Sequence, residues 1–160
     1  MNLENVFTLR QEGRLEQARD VMQGLLEVDP ENAMYQYQMA WCFDNLGQEK
    51  AAVPHYVKAI QLGLPTADLK GAYLGLGSTY RALGEYELSA ETFQSALNDF
   101  PENNQFKVFY SMTLFNLNKH EEAMELLLNV LIETTSDKEI LNYQKAILFY
   151  SDKLNVTWDE

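Results

Sequence analysis

Residues 73–101, YLGLGSTYRALGEYELSAETFQSALNDFP, decide the fold. Tyr73, Leu76, Gly77, Tyr80 and Leu83 recur at the three- and four-residue steps that place side chains on one helical face. Gly84 then supplies the left-handed conformation that ends one helix before another starts. Five residues later Ser89 is small, which lets two helix backbones approach, and Phe93 follows four residues on along the same face. Pro101 closes the second helix, because proline cannot continue one. The stretch therefore reads as a helix, a tight turn and a second helix.

The same pattern recurs on both sides. EGRLEQARDVMQGLLEVDP, LGQEKAAVPHYVKAIQLGL and LNKHEEAMELLLNVLIETT align with the second half of the quoted stretch. Their turn residues, with Gly84, are Gly13, Gly47 and Asn118, at intervals of 34, 37 and 34 residues. The small residues Ala18, Ala52, Ser89 and Ala123 keep those intervals, and Met22, Tyr56, Phe93 and Leu127 follow each by four. Three extra residues fall near Gly63-Leu64-Pro65-Thr66, between repeats. The first-helix stripe is Met39, Ala40, Phe43 and Leu46 in the second repeat and Tyr110, Ser111, Leu114 and Leu117 in the fourth. This spacing predicts helices over 2–12, 14–28, 33–46, 49–62, 69–83, 85–99, 104–117 and 120–134. A ninth, over 138–153, carries Ile140, Leu141, Ile147, Leu148 and Leu154 and reads as a terminal cap.

These residues resemble the tetratricopeptide repeat family. The third repeat matches best, through Tyr73, Leu76-Gly77, Tyr80, Gly84, Tyr86, Phe93, Ala96 and Pro101. The resemblance covers residues 1 to about 135, and the stretch Met34–Val130 is also similar to short bacterial proteins of this family. It implies an all-α fold, an α-α superhelix of tandem helix pairs with a C-terminal capping helix. Residues 1–160 would form one domain, with repeats at 1–32, 33–68, 69–103 and 104–137, a cap at 138–154 and a tail at 155–160. Departures are Asn2 and Asn5, polar where the motif is apolar; Val6, too large for its position and expected to loosen that contact; and Pro54, expected to kink its helix.

Composition narrows the function. The chain has 160 residues, 46% hydrophobic and 22% charged, with 4 prolines and 8 glycines, as suits a core of long regular elements. Acids outnumber bases 24 to 12, for a net charge of −12. Such a surface repels phosphate backbones and anionic lipid, so neither nucleic acid nor a membrane is an expected partner. No apolar run approaches the ~20 residues of a membrane span. The first residues lack the order of a signal peptide. Lone Cys42 fits a buried core position and a reducing cytoplasm, which the family resemblance implies is bacterial.

The resemblance further implies that the first helix of each repeat lines a concave groove. The positions so assigned are Leu3, Phe7 and Arg10; Met34, Tyr37, Trp41 and Asp44; Gly71, Leu74, Ser78 and Arg81; and Gln105, Val108, Met112 and Phe115. Trp41, Tyr37 and Phe7 are residue types that anchor partner side chains, Met34 and Met112 add adaptable surface, and the arginines suit a carboxylate. The lysine- and asparagine-based carboxylate clamp of some family members is absent, since its positions hold Tyr37, Trp41, Gly75, Gln105 and Phe109.

No catalytic constellation stands out. His55 and His120 have no second metal ligand at a useful spacing and read as solvent-facing, and the glycines at 75 and 77 sit mid-helix, where they serve close packing. No cofactor or metal is expected. The reading is a non-catalytic module that binds an apolar or basic peptide segment of unidentified origin. The alternative is a homodimer, formed through exposed apolar ends such as Leu3 and Phe7. The tail ending Trp158-Asp159-Glu160 could also dock in a groove.

Overall fold

Four asparagine- or glycine-bearing turns set the architecture. In a computed structural model that describes residues 2–158, Gly13, Gly47, Gly84 and Asn118 all take positive φ, between 61° and 79°. Each follows a helix that ends in the same double hydrogen bond. At the second turn Gly47 N–H reaches the Asp44 carbonyl (3.0 Å) and Gln48 N–H reaches Phe43 (2.9 Å). Asn118 and Lys119 make the corresponding bonds to Phe115 and Leu114, at 3.1 and 2.9 Å. This ending satisfies carbonyls that a helix otherwise leaves open, and it needs a left-handed residue to do so.

The helices are α1 (Leu3–Gln11), α2 (Leu15–Val28), α3 (Ala33–Asn45), α4 (Glu49–Leu62), α5 (Thr66–Ala82), α6 (Tyr86–Asp99), α7 (Asn104–Asn116), α8 (His120–Thr134), α9 (Lys138–Asn142) and α10 (Gln144–Tyr150). The described residues contain no strand, and none of their helices is long and apolar enough to cross a membrane. Asn2, Asn32 and Asn103 cap α1, α3 and α7, each side chain accepting from the backbone N–H three residues on at 3.1 Å. Asn2 is thus a cap rather than a misplaced core residue. The three inserted residues lengthen α5, which begins at Thr66 instead of 69. Helix α4 runs unbroken through Pro54, whose side is exposed.

The chain divides into two units, Met1–Thr92 and Phe93–Glu160, with the boundary inside α6. In the first, α1 packs on α2, α2 on α3, α3 on α4, and α5 on both α3 and α4. One core cluster joins Val6, Ala18, Met22, Leu25, Leu26, Met39 and Cys42. Val6 is fully buried there, so its methyls fill the contact instead of loosening it. A second cluster joins Tyr37, Ala40, Ala52, Tyr56, Ala59, Ala72 and Leu76. Ser89 substitutes for alanine at no hydrogen-bonding cost, because its Oγ donates to the Gly77 carbonyl at 2.8 Å.

In the second unit α7 packs on α8, and α10 packs on α8. Phe93 meets Phe109, and Phe100 meets Phe106, with ring centroids 6.4 and 6.2 Å apart. The expected ninth helix is broken at Tyr143 into α9 and α10. Trp158 folds back on α10, 6.2 Å from Phe149 and 5.4 Å from Tyr150, so the tail lies on its own terminal helix. Asp159 and Glu160 lie outside the described residues.

Candidate functional site

Helix α3 carries too many large side chains for one face, and the structure sorts them. Gln36, Tyr37, Gln38, Met39, Ala40 and Cys42 are buried. Trp41, at 37% exposure against 9% for Tyr37, is left on the open side. Tyr37 packs within the second core cluster, its ring 6.2 Å from Tyr56 and its hydroxyl over Gly71. Burial raises its phenol pKa. The groove position expected for Tyr37 is therefore a packing position.

Asp44 is half-buried and takes part in the packing as well. It accepts a hydrogen bond from the Tyr56 hydroxyl at 2.6 Å and from Thr79 Oγ1 at 3.0 and 3.2 Å. One carboxylate thereby ties α3 to α4 and α5. Burial raises its pKa, and the two hydroxyl donors oppose that rise. Met34 and Leu3 are half-buried against the second and first core clusters. Leu74, Ser78 and Arg81 on α5 are half-buried as well.

On the Trp41 side of α3 the first unit has a cavity of about 350 Å³ between α1, α2 and α3. Phe7, Arg10, Gln11, Leu15, Trp41 and Asn45 line it. The Arg10 guanidinium lies over the Trp41 ring, 3.4 Å from its centroid, and 5.8 Å from that of Phe7. It also donates to Gln38 Oε1. Asn45 donates to the Trp41 carbonyl at 2.7 Å. Sequence reasoning singled out Phe7, Arg10 and Trp41 but missed Gln11, Asn45 and Leu15. Gln11 and Asn45 lie four residues beyond Phe7 and Trp41 on the same helical faces, a spacing that could have flagged them.

The second unit carries its own stripe on α7. Gln105, Met112 and Phe115 are exposed and Val108 is half-buried. Their spacing places them along one side of the helix. His120 at the start of α8 meets the Phe115 ring edge-on at 4.6 Å and is exposed, as expected.

His55 is not solvent-facing. It is half-buried, stacked 5.4 Å from Phe43, with Nδ1 2.6 Å from Gln36 Oε1. Gln36 donates its own Nε2 to the Pro30 carbonyl at 2.7 Å, which fixes the amide and makes Nδ1 the protonated nitrogen. Burial, then the Lys58 charge, lowers its pKa. Cys42 is buried, with a raised thiol pKa from the same cause, as a core cysteine should be. No group of three or more His, Cys, Asp or Glu among the described residues is placed to hold a metal ion.

Comparison with known proteins agrees with this architecture. DnaJ homolog subfamily C member 3 of Homo sapiens is 28% identical over 148 residues, which is 92% of this chain and 27% of that protein. The chain thus spans about a quarter of the length of that relative. A crystal structure of MamA, 17% identical, superposes with a TM-score of 0.75 over 95% of this chain and 89% of its own. YrrB, described as a TPR protein with an unusual peptide-binding site, is 20% identical with a TM-score of 0.71, over 94% and 75% of the two chains. At these identities the structural likeness speaks to the fold. The tetratrico peptide repeat model matches residues 33–154, most of the chain, and with four helix pairs turning on Gly13, Gly47, Gly84 and Asn118 this protein belongs to the tetratricopeptide repeat family.

Proposed function

We propose that the chain is a non-catalytic module that holds an extended, apolar-bearing segment of a partner protein on the open side of α1 and α3. The tetratricopeptide fold is that of a protein–protein interaction module, and the finer assignment rests on one observation. Trp41 stays exposed beside Phe7 and Arg10 around a cavity, while its neighbours on α3 are sealed into the core. Large aromatics and arginine on a concave surface are the types that dominate binding energy at interfaces. The α7 stripe of Gln105, Val108, Met112 and Phe115 is a second contact surface in this reading.

The test is selection from a random-peptide display library. The wild-type protein enriches related sequences; Trp41→Ala, with unchanged far-UV circular dichroism, loses at least about tenfold in affinity for them, as expected for an interface anchor. Selection that yields nothing, or that is indifferent to Trp41, contradicts the proposal.

Self-association is a second reading, favoured at the other end of the chain. Met22, Tyr56 and Phe93 are 0%, 1% and 0% exposed, yet Leu127 at the matching position of the fourth repeat is 38% exposed. Met124 and Leu131 extend that stripe along α8. Contiguous apolar surface of this kind marks interfaces. If a second copy covers it, light scattering gives a dimer that Leu127→Glu splits; a monomer at all concentrations excludes this arrangement.

A further inference from the structure

Arg10 lines the α1–α3 cavity with no acidic residue beside it. Arg14, Arg19, Lys58, Lys107, Lys119 and Lys153 each reach a carboxylate, whereas among the described residues Arg10 enters no ion pair. Lys50, Lys138 and Lys145 also enter none but are exposed, so what sets Arg10 apart is that it has no ion-pair partner while half-buried. The guanidinium is half-buried, and this burial lowers its pKa. A charge taken part-way out of water without a counterion is held at a cost that a partner carboxylate would offset.

The geometry suits such a partner. A guanidinium offers five N–H donors in a rigid fork, and Gln38 takes one, which leaves enough for two parallel bonds to a carboxylate. Stacking on Trp41 fixes the fork before the ligand arrives, so less side-chain freedom is lost on binding. Phe7, Leu15 and Trp41 supply apolar wall around it.

We propose that this cavity takes the side-chain carboxylate of an aspartate or glutamate that neighbours an apolar side chain in the bound segment. The assignment rests on the peptide-holding role of the α1–α3 face and replaces the basic segment that net charge alone suggests. The net charge of −12 does not forbid it. Charges beyond about 8–10 Å are largely screened at physiological salt, and contact with Arg10 is at hydrogen-bonding range.

The experiment resynthesises the peptides selected from the display library with amidated C-termini and measures their affinities by fluorescence anisotropy. The expected sequences carry an acid beside an apolar residue. Changing that acid to its amide weakens binding by about tenfold or more, as for a hydrogen bond to a charged group. Arg10→Gln weakens it comparably, and the two losses do not add, which is the signature of direct contact. Selected peptides without an acid, or losses that add independently, overturn the carboxylate assignment while the holding role stands. Binding that disappears on amidation assigns the cavity to a terminal carboxylate and also overturns it. No selected peptide at all overturns the holding role itself. Arg10→Lys, which keeps the charge without the fork, binds between the wild type and Arg10→Gln and serves if Arg10→Gln folds poorly.

Discussion

Tyr56→Ala is expected to lower the unfolding free energy by about 3–5 kcal/mol, the range for deleting a buried aromatic ring. Tyr56 is fully buried on α4, packed with Tyr37, Ala52 and Ala72 and donating to Asp44. The substitution opens a cavity among three helices and removes one of the two hydroxyl donors to Asp44. A small domain holds only about 5–15 kcal/mol in total, so this change alone brings the protein near its threshold. Tyr56→Phe separates the two effects: it keeps the ring and drops the donor, for about 1–3 kcal/mol. The hydroxyl opposes the upward pull of burial on Asp44, so the Asp44 pKa rises further in Tyr56→Phe. Urea unfolding and carboxyl NMR titration check the pair. A Tyr56→Ala protein as stable as the wild type contradicts the packing described.

The second large effect is expected from a methyl group. Gly75→Ala in an isolated helix would gain about 1 kcal/mol from propensity. Here the added Cβ falls 2.5 Å from both Cζ and Oη of Tyr56 and 2.8 Å from Cε1. That ring is enclosed, and its hydroxyl is committed to Asp44, so it cannot retreat. Overpacking of this kind costs about 1–3 kcal/mol and reverses the sign of the propensity gain. Gly71→Ala meets the Tyr37 hydroxyl instead, at 2.1 Å, with Cζ at 3.1 Å. The contact is with the far tip of the side chain, which can tilt, so its loss is the smaller of the two. Urea midpoints of the two variants give the order directly; a stabilised Gly75→Ala protein contradicts the contact.

The turns, the helix pairs and the close approaches at Ala18, Ala52, Ser89 and Ala123 were legible because each needs a particular residue type at a fixed interval. Left-handed turns admit glycine or asparagine, and close approach admits only small side chains. The break at Tyr143 was not legible: Asn142, Tyr143 and Gln144 include no proline or glycine to mark it. The groove assignment was legible only in part. Helix α3 places aromatic or polar residues around most of its circumference, so the family register could not say which of Tyr37 and Trp41 faces out. That depends on the cavity side being formed by α1 and α2, and on Gly71 in α5 leaving room for the Tyr37 hydroxyl. The polar residues Asp44 and His55 were misplaced for a related reason. Their partners, Tyr56 with Thr79 and Gln36, lie 12 to 35 residues away on other helices. The family register put Asp44 on the groove and the lack of a second ligand left His55 facing solvent, while hydrogen bonding permitted partial burial of both.

Helix α3 turns Tyr37 inward, where it holds the helices together, and leaves Trp41 outward, where the proposed partner would meet it. Urea unfolding of Tyr37→Ala and Trp41→Ala, measured side by side, tests this arrangement most directly. The expected result is a loss of about 3–5 kcal/mol for Tyr37→Ala and no more than about 2 for Trp41→Ala, which gives up mainly its stacking with Arg10. The opposite order, with Trp41→Ala the more damaging substitution, would place the tryptophan in the core and contradict the claim.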